Sequence, residues 1–238
     1  MPLPDLKDID TVLLDLDGTL LDLHFDNHFW LEYVPVCYSK QHQIPLDEAH
    51  HILMQRYNEV RGSLDWYCVQ FWTRELGLDI EQLKREVAHK IAVHPFVHDF
   101  LQSARKQGKH VVLVTNAHPA SLTIKMEKTE LVDYFDQIVT SHELGLAKEQ
   151  DGFWQKLQDI ESYNPDRTLL IDDNHEVLEC AERYGIRHLL AIHRPDSKGD
   201  EKSHDRYHLK KSFEALPRPR PLQRVPCPKY KNCRSKIF

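Results

Sequence analysis

Two kinds of apolar pattern alternate along the chain. Short stretches rich in Val, Ile and Leu occur at residues 11–14, 111–115, 137–140 and 168–171, and a fifth at 188–192. They are apolar on both faces, which suits parallel strands covered by helices on each side. Helical periodicity follows the second, third and fourth, over 119–129, 150–162 and 174–184. Gly185 stands where a helix C-cap is expected. The alternation predicts an α/β fold, a doubly wound parallel sheet. Such sheets bind ligands beyond the carboxyl ends of their strands.

One stretch departs from this rhythm. Between Asp22 and about Val93 no strand pattern occurs, and helical patterns fill the space at 26–43, 46–61, 65–76 and 80–91. Pro35 is expected to kink the first. Asp26 reads as an N-cap of that first helix and Asp79 as one of the last. This is a helical insertion after the first strand. Residues 94–107, with Pro95 at the first helical position, return the chain to the sheet. The expected domains are a core of residues 1–21 and 94–216, an inserted α-helical domain of 22–93, and a tail of 217–238. The tail holds seven basic residues, several prolines and no acidic residue, a composition that favours disorder.

Composition narrows the function classes. The net charge of −6 argues against a general nucleic-acid binder. No apolar run approaches the roughly 20 residues that a membrane helix needs. The N-terminus is acidic and lacks an apolar signal core. Five cysteines at irregular spacing do not form a disulfide framework. A reduced, cytoplasmic setting is expected. The sequence contains no His-Glu-x-x-His, Walker or Gly-x-Gly-x-x-Gly motif. His94 and His98 lack a third ligand nearby and are expected to be solvated or capping. His118 either starts a helix or approaches a bound anion, and Gly145 serves a turn.

The strand ends carry the chemistry. The first strand delivers Asp15 and Asp17, and the second Thr115 and Asn116. Ser141 and Lys148 follow the third, and Asp172 and Asp173 end the fourth. In a parallel sheet these groups meet at one edge. Four carboxylates in one place repel, and a cation relieves them. A set of oxygen ligands with few His or Cys nearby suits a hard ion, best Mg²⁺, and Mg²⁺ favours phosphate as a further ligand. Lys148 and the Thr115 and Asn116 donors would hold the phosphate oxygens. At a strand end one aspartate can attack while the other handles protons. Gly18 allows a tight turn beside them.

These residues resemble the haloacid dehalogenase (HAD) superfamily of hydrolases. DLDGT at 15–19 matches its D-x-D-G-T motif, Thr115 its second motif, Lys148 its third, and the acidic pair in IDD at 171–173 its fourth. In many relatives proline follows the lysine, and here Glu149 does. The resemblance spans about residues 10–195 and implies a HAD-like Rossmannoid core with a helical cap. It implies that Asp15 forms an aspartyl-phosphate and that Asp17 protonates the leaving alcohol and then activates water. It implies Mg²⁺ held by Asp15, the Asp17 carbonyl and Asp173, with Asp172 directly or through water. Residues 20–30, 64–68 and 115–119 are similar to the purine 5′-nucleotidase branch acting on GMP and IMP. On that similarity His24, Asp26 and Asn27 lie near the substrate. Trp66, Tyr67 and Trp72 either stack on a base or form the core of the insertion. The expected partner is a small phosphate ester, a nucleoside monophosphate, with no nucleic acid and no membrane. A sugar-phosphate phosphatase or phosphomutase is the enzyme alternative, and a non-catalytic regulatory protein on the same scaffold is the other.

Overall fold

The computed structural model of the chain describes residues 6–201, 207–210 and Phe213; the tail at 217–238 lies outside them. Among the described residues six strands form one parallel sheet. They are β1 (Thr11–Leu14), β2 (His110–Thr115), β3 (Gln137–Thr140), β4 (Thr168–Asp172), β5 (His188–Ile192) and β6 (His208–Lys210), in the order β3-β2-β1-β4-β5-β6. The first five strand patterns match the expected positions to within one residue.

Alternation along the strands divides the core into two layers. Val12 and Leu14, Val111 and Leu113, and Leu169 and Ile171 point to one face. Leu13, Val112, Val114 and Leu170 point to the other. Helices α7 (Val97–Lys106) and α8 (Pro119–Thr129) pack on the first face, while α10 (Phe153–Ile160) and α11 (His175–Tyr184) pack on the second. The short α9 (Ser141–Leu144) lies directly after β3. Both faces are therefore dry, which is why the strands read as continuous apolar runs.

Helices α1 (His24–His28) to α6 (Ile80–Glu86) fill the insertion: α2 is Val34–His42, α3 is Leu46–Val60, α4 is Leu64–Tyr67 and α5 is Val69–Leu76. Its entry and exit run side by side. The Asp22 N–H donates to the Ala92 carbonyl at 2.9 Å, and the His94 N–H to that of Leu20 at 2.9 Å.

Several helix ends differ from expectation. Asp26 is not an N-cap. It lies inside α1, with its carboxylate turned to two lysines. Between α1 and α2 the helix widens into a π turn over Phe29–Tyr33, and Pro35 follows at the start of α2. The wider turn precedes a residue that has no N–H to donate. The expected helix at 65–76 breaks at Cys68, whose extended backbone caps α5; its Sγ accepts the Phe71 N–H. The helix expected from Pro95 begins two residues later, because Phe96 adopts a left-handed conformation at φ +67°. Asp79 does cap α6, accepting from the Gln82 N–H, and Gly185 ends α11 at φ +112°.

Trp72 belongs to the insertion's core. It is fully buried, its Nε1–H donates to the Trp66 carbonyl at 2.9 Å, and it meets Tyr57 and Phe71 edge-on at 5.1 and 5.0 Å. Edge-to-face pairs add to its area burial. Trp72→Ala should therefore destabilise the fold by about 3–5 kcal/mol, read as a lower midpoint in urea denaturation.

Candidate active site

β1, β2 and β4 end in register, so the residues that follow them converge. The Asp15 N–H donates to the Ile171 carbonyl at 3.0 Å, which locks the nucleophile candidate to β4. Gly18 turns the chain back at φ +86°. A Cβ there would sit 2.7–2.9 Å from the Asp173 carboxyl atoms, so only glycine lets the loop approach.

Lys148 enters between two carboxylates. Its Nζ donates to Asp15 Oδ1 and to Asp172 Oδ2, each at 2.6 Å, and all three side chains are buried. The other Asp172 oxygen accepts the Asn174 N–H at 2.9 Å. Asp172 thus acts first as a brace for Lys148. Thr115 Oγ1 accepts the Ala117 N–H at 3.0 Å, which leaves its hydroxyl proton to donate elsewhere. Asn116 is turned inward: its Oδ1 accepts the Lys148 N–H and its Nδ2 donates to Glu149. Glu149 also accepts from the Tyr67 hydroxyl at 2.8 Å, tying α4 to the strand ends. Ser141 Oγ donates to the Asn116 carbonyl at 3.4 Å and so supports the same loop.

A second lysine, which no motif in the sequence marks, also meets the acids. Lys125, on α8, donates to Asp17 Oδ2 at 2.6 Å and to Asp26 Oδ2 at 2.7 Å. Lys84, on α6, reaches the other Asp26 oxygen at 2.9 Å. The Lys84 ammonium also lies 4.4 Å from the Phe29 ring centre, a cation–π contact. Asp17, Lys125, Asp26 and Lys84 form one chain from the strand ends into the insertion, the two lysines buried and the two aspartates half-buried. A lysine inside an amphipathic helix gives no sequence signal of its partner, so this chain was not legible beforehand.

Charge and burial set the protonation. Burial pushes the Asp15 carboxyl up to about 6, against the pull of Lys148. It does the same to Asp17, up to about 6, against Lys125. Burial also acts on Asp26, but Lys125 and Lys84 outweigh it and bring that group down to about 2. Lys148 and Lys125 are raised: burial opposes their charge, and their aspartate partners overcome it.

Among the described residues, two buried carboxylate oxygens at the strand ends have no hydrogen-bond donor, Asp15 Oδ2 and Asp17 Oδ1, and the buried Thr19 Oγ1 beside them has no partner either. Carboxylate oxygens of Asp15, Asp172 and Asp173 lie within 4.8 Å of one another. An all-oxygen cluster with an orphaned lone pair fits a hard divalent cation. Above it opens a cavity of about 470 Å³, walled by Trp30, Tyr57 and Trp66 with Asn27, Asn58 and Arg61. Asn27 faces this cavity, and its Nδ2 donates to Asp196 at 2.7 Å. His24 is not among the lining residues; its ring stands 3.7 Å from Asp196. His118 caps α8, its Nδ1 accepting the Ala120 N–H, and also borders the cavity. His94 and His98 turn to different partners, the Pro195 carbonyl and the Tyr134 hydroxyl.

A family model for haloacid dehalogenase-like hydrolases matches residues 12–191, a span that holds every one of these strand-end groups. The chain belongs to this hydrolase family. A GMP/IMP nucleotidase of Escherichia coli K12, YrfG, is 38% identical over 201 residues, covering 84% of this chain and 90% of that protein. The pyrophosphatase PpaX of Bacillus mycoides is 23% identical over 75% of this chain and 81% of its own. Among solved structures, a HAD phosphatase from Thermococcus onnurineus superposes with a TM-score of 0.71 at 24% identity, over 84% of this chain and 92% of that one. The haloacid dehalogenase-like fold explains why the strand ends, rather than the helices, collect the charge. No helix among the described residues is long and apolar enough to cross a membrane.

The raised carboxylates give a linkage prediction. Groups with pKa near 6 are partly protonated at pH 6, and only the ionised form holds a cation. Divalent cation binding should therefore release protons and strengthen as pH rises from about 5 to 7. Calorimetric titration at pH 6 in two buffers of different ionisation enthalpy measures this. Identical heats in both buffers would contradict it.

Proposed function

We propose that this hydrolase is a Mg²⁺-dependent phosphatase for purine nucleoside 5′-monophosphates such as GMP and IMP. The observation that carries this is the placement of Asp15 and Asp17, each with one unpaired buried oxygen, at the floor of an aromatic-walled cavity. The 38% identity to a GMP/IMP nucleotidase supports the substrate class. Residues 22–93 act as a cap, contributing Trp30, Tyr57 and Trp66 as surfaces for a base, with Asn27, Asn58 and Arg61 as polar partners. Asp26 borders the cavity and also holds Lys125.

Asp15 attacks the phosphorus through its oxygen, and the bond from phosphorus to the ester oxygen breaks. Asp17 gives its proton to the departing 5′-oxygen. The aspartyl-phosphate so formed is then opened by water, whose proton returns to Asp17 and whose oxygen joins the phosphorus. The Asp15 carboxylate is regenerated and inorganic phosphate leaves. Thr115 and Lys148 hold phosphoryl oxygens, and Asn116 and Asp172 keep Lys148 in place. Asp15, the Asp17 carbonyl and Asp173 would hold Mg²⁺, with Asp172 behind them. The ion supplies charge neutralisation for the phosphoryl group.

Lys125 is a positioning residue in this reading. It fixes Asp17 by one oxygen and leaves the other to move the proton.

Phosphate release from a panel of nucleotides and sugar phosphates tests the assignment. GMP and IMP should be turned over best, only with Mg²⁺, and Asp15→Asn should abolish the reaction. A preference for sugar phosphates would overturn the substrate class. Turnover by Asp15→Asn would overturn the mechanism.

A second prediction separates Lys125 from a merely structural lysine. Losing a positioned general acid costs about 10²–10⁴-fold. In a single turnover, Lys125→Met should slow nucleoside release by up to that factor. Release of p-nitrophenol from its phosphate, which needs no proton, should stay close to wild type. Equal slowing of both would assign Lys125 to folding alone.

A further inference from the structure

Beside the phosphate site, three side chains from separate segments meet. Cys68 comes from the break between α4 and α5 in the insertion. His118 follows β2, and His142 opens α9 after β3. A ligand atom from each lies within 4.8 Å of the other two, and the two imidazoles meet edge-on with centres 4.7 Å apart. All three residues are half-buried. His118 borders the large cavity, whereas Cys68 and His142 are not among its lining residues.

We propose that Cys68, His118 and His142 form a site for a zinc-class divalent ion, distinct from the carboxylate site, that clasps the helical insertion to the strand ends. One sulfur and two imidazole nitrogens are the donor set that such ions select over Mg²⁺. Bond lengths of about 2.0–2.3 Å put tetrahedral ligands roughly 3.3–3.8 Å apart. The observed spread of up to 4.8 Å lies about 1 Å outside that range. His142 Nε2 is buried without a hydrogen-bond partner, and its Nδ1 stands 3.5 Å from Ser141 Oγ, which orients the ring. Burial and the neighbouring His118 bring His142 down to about 4, and burial lowers His118, so both rings are neutral ligands at pH 7. Cys68 Sγ accepts the Phe71 N–H at the start of α5, where a helix favours negative charge. Three protein ligands leave one position for water.

Loading the site has a structural consequence. His118 Nδ1 accepts the Ala120 N–H at 3.1 Å. Ligation through Nδ1 displaces that bond, and ligation through Nε2 requires Nδ1 to carry the proton. Either way, metal binding exchanges the cap of α8 for a coordination bond. The exchange joins the break between α4 and α5 to the loop after β2 and to α9, next to the existing Tyr67–Glu149 bond.

The test uses the full chain saturated with Mg²⁺. Added Co²⁺ should bind at one equivalent with the thiolate-to-cobalt charge-transfer band of a sulfur ligand. Cys68→Ser should remove the band, and His142→Ala should weaken Co²⁺ and Zn²⁺ binding by at least the roughly 10–100-fold that loss of an outer partner costs. Zn²⁺ should slow hydrogen exchange in residues 64–76 of the wild type but not of Cys68→Ser. Thermal melts of the metal-free variants, matching wild type, show that the fold persists. Absence of the band overturns the site, as does Zn²⁺ binding unchanged by both substitutions. Zn²⁺ binding without slowed exchange overturns the clasp.

Discussion

Asp15, Asp17, Asp172 and Asp173 share the carboxyl edge of this sheet, three of them buried and Asp17 half-buried, and the fold has to neutralise them. Two lysines do most of this work. Lys148 stands between Asp15 and Asp172, and Lys125 between Asp17 and Asp26. Removing either cation would leave carboxylates buried without a counter-charge, which is far more costly than losing a surface ion pair. Each lysine accepts its own burial because it holds two acids at once. The pairing also divides labour. One oxygen of Asp15 and one of Asp17 are held, and one of each stays unpaired for chemistry.

That arrangement binds the insertion to the sheet by charge as well as by packing. Asp26 on α1 and Lys84 on α6 extend the chain that begins at Asp17. Tyr67 on α4 reaches Glu149, which in turn holds Asn116 beside Lys148. The same insertion supplies the aromatic wall of the cavity, with Trp30 from the π turn, Tyr57 from α3 and Trp66 from α4, so the geometry over the carboxylates and the shape offered to a substrate are set together. Glu149 directly follows Lys148, and its contacts with Tyr67 and Asn116 give it a physical role in joining the insertion to the strand ends.

The strands, their order along the chain and the convergence of Asp15, Thr115, Lys148, Asp172 and Asp173 were all legible from the sequence. The reason is that each signal is local: an apolar run covered on both faces, then a polar residue at its end. Helix termini were less legible. Asp26 has the composition of an N-cap, but two lysines on other helices draw its carboxylate into the site. The break at Cys68 and the left-handed Phe96 answer to packing between segments, which periodicity does not report.

By itself the sequence determined the α/β class, the helical insertion and the identity of the acidic groups at the strand ends, because backbone pattern and motif order are properties of neighbouring residues. Tertiary structure alone decided which cation meets which acid. Lys148 lies 133 residues from Asp15, and Lys125 lies 108 from Asp17. It also decided that Asn116 turns to Lys148 and Glu149, that Trp72 is core, and that Cys68, His118 and His142 meet. Coulomb interaction and coordination depend on distance in space, and distance in space is what the packing of the insertion on the sheet creates.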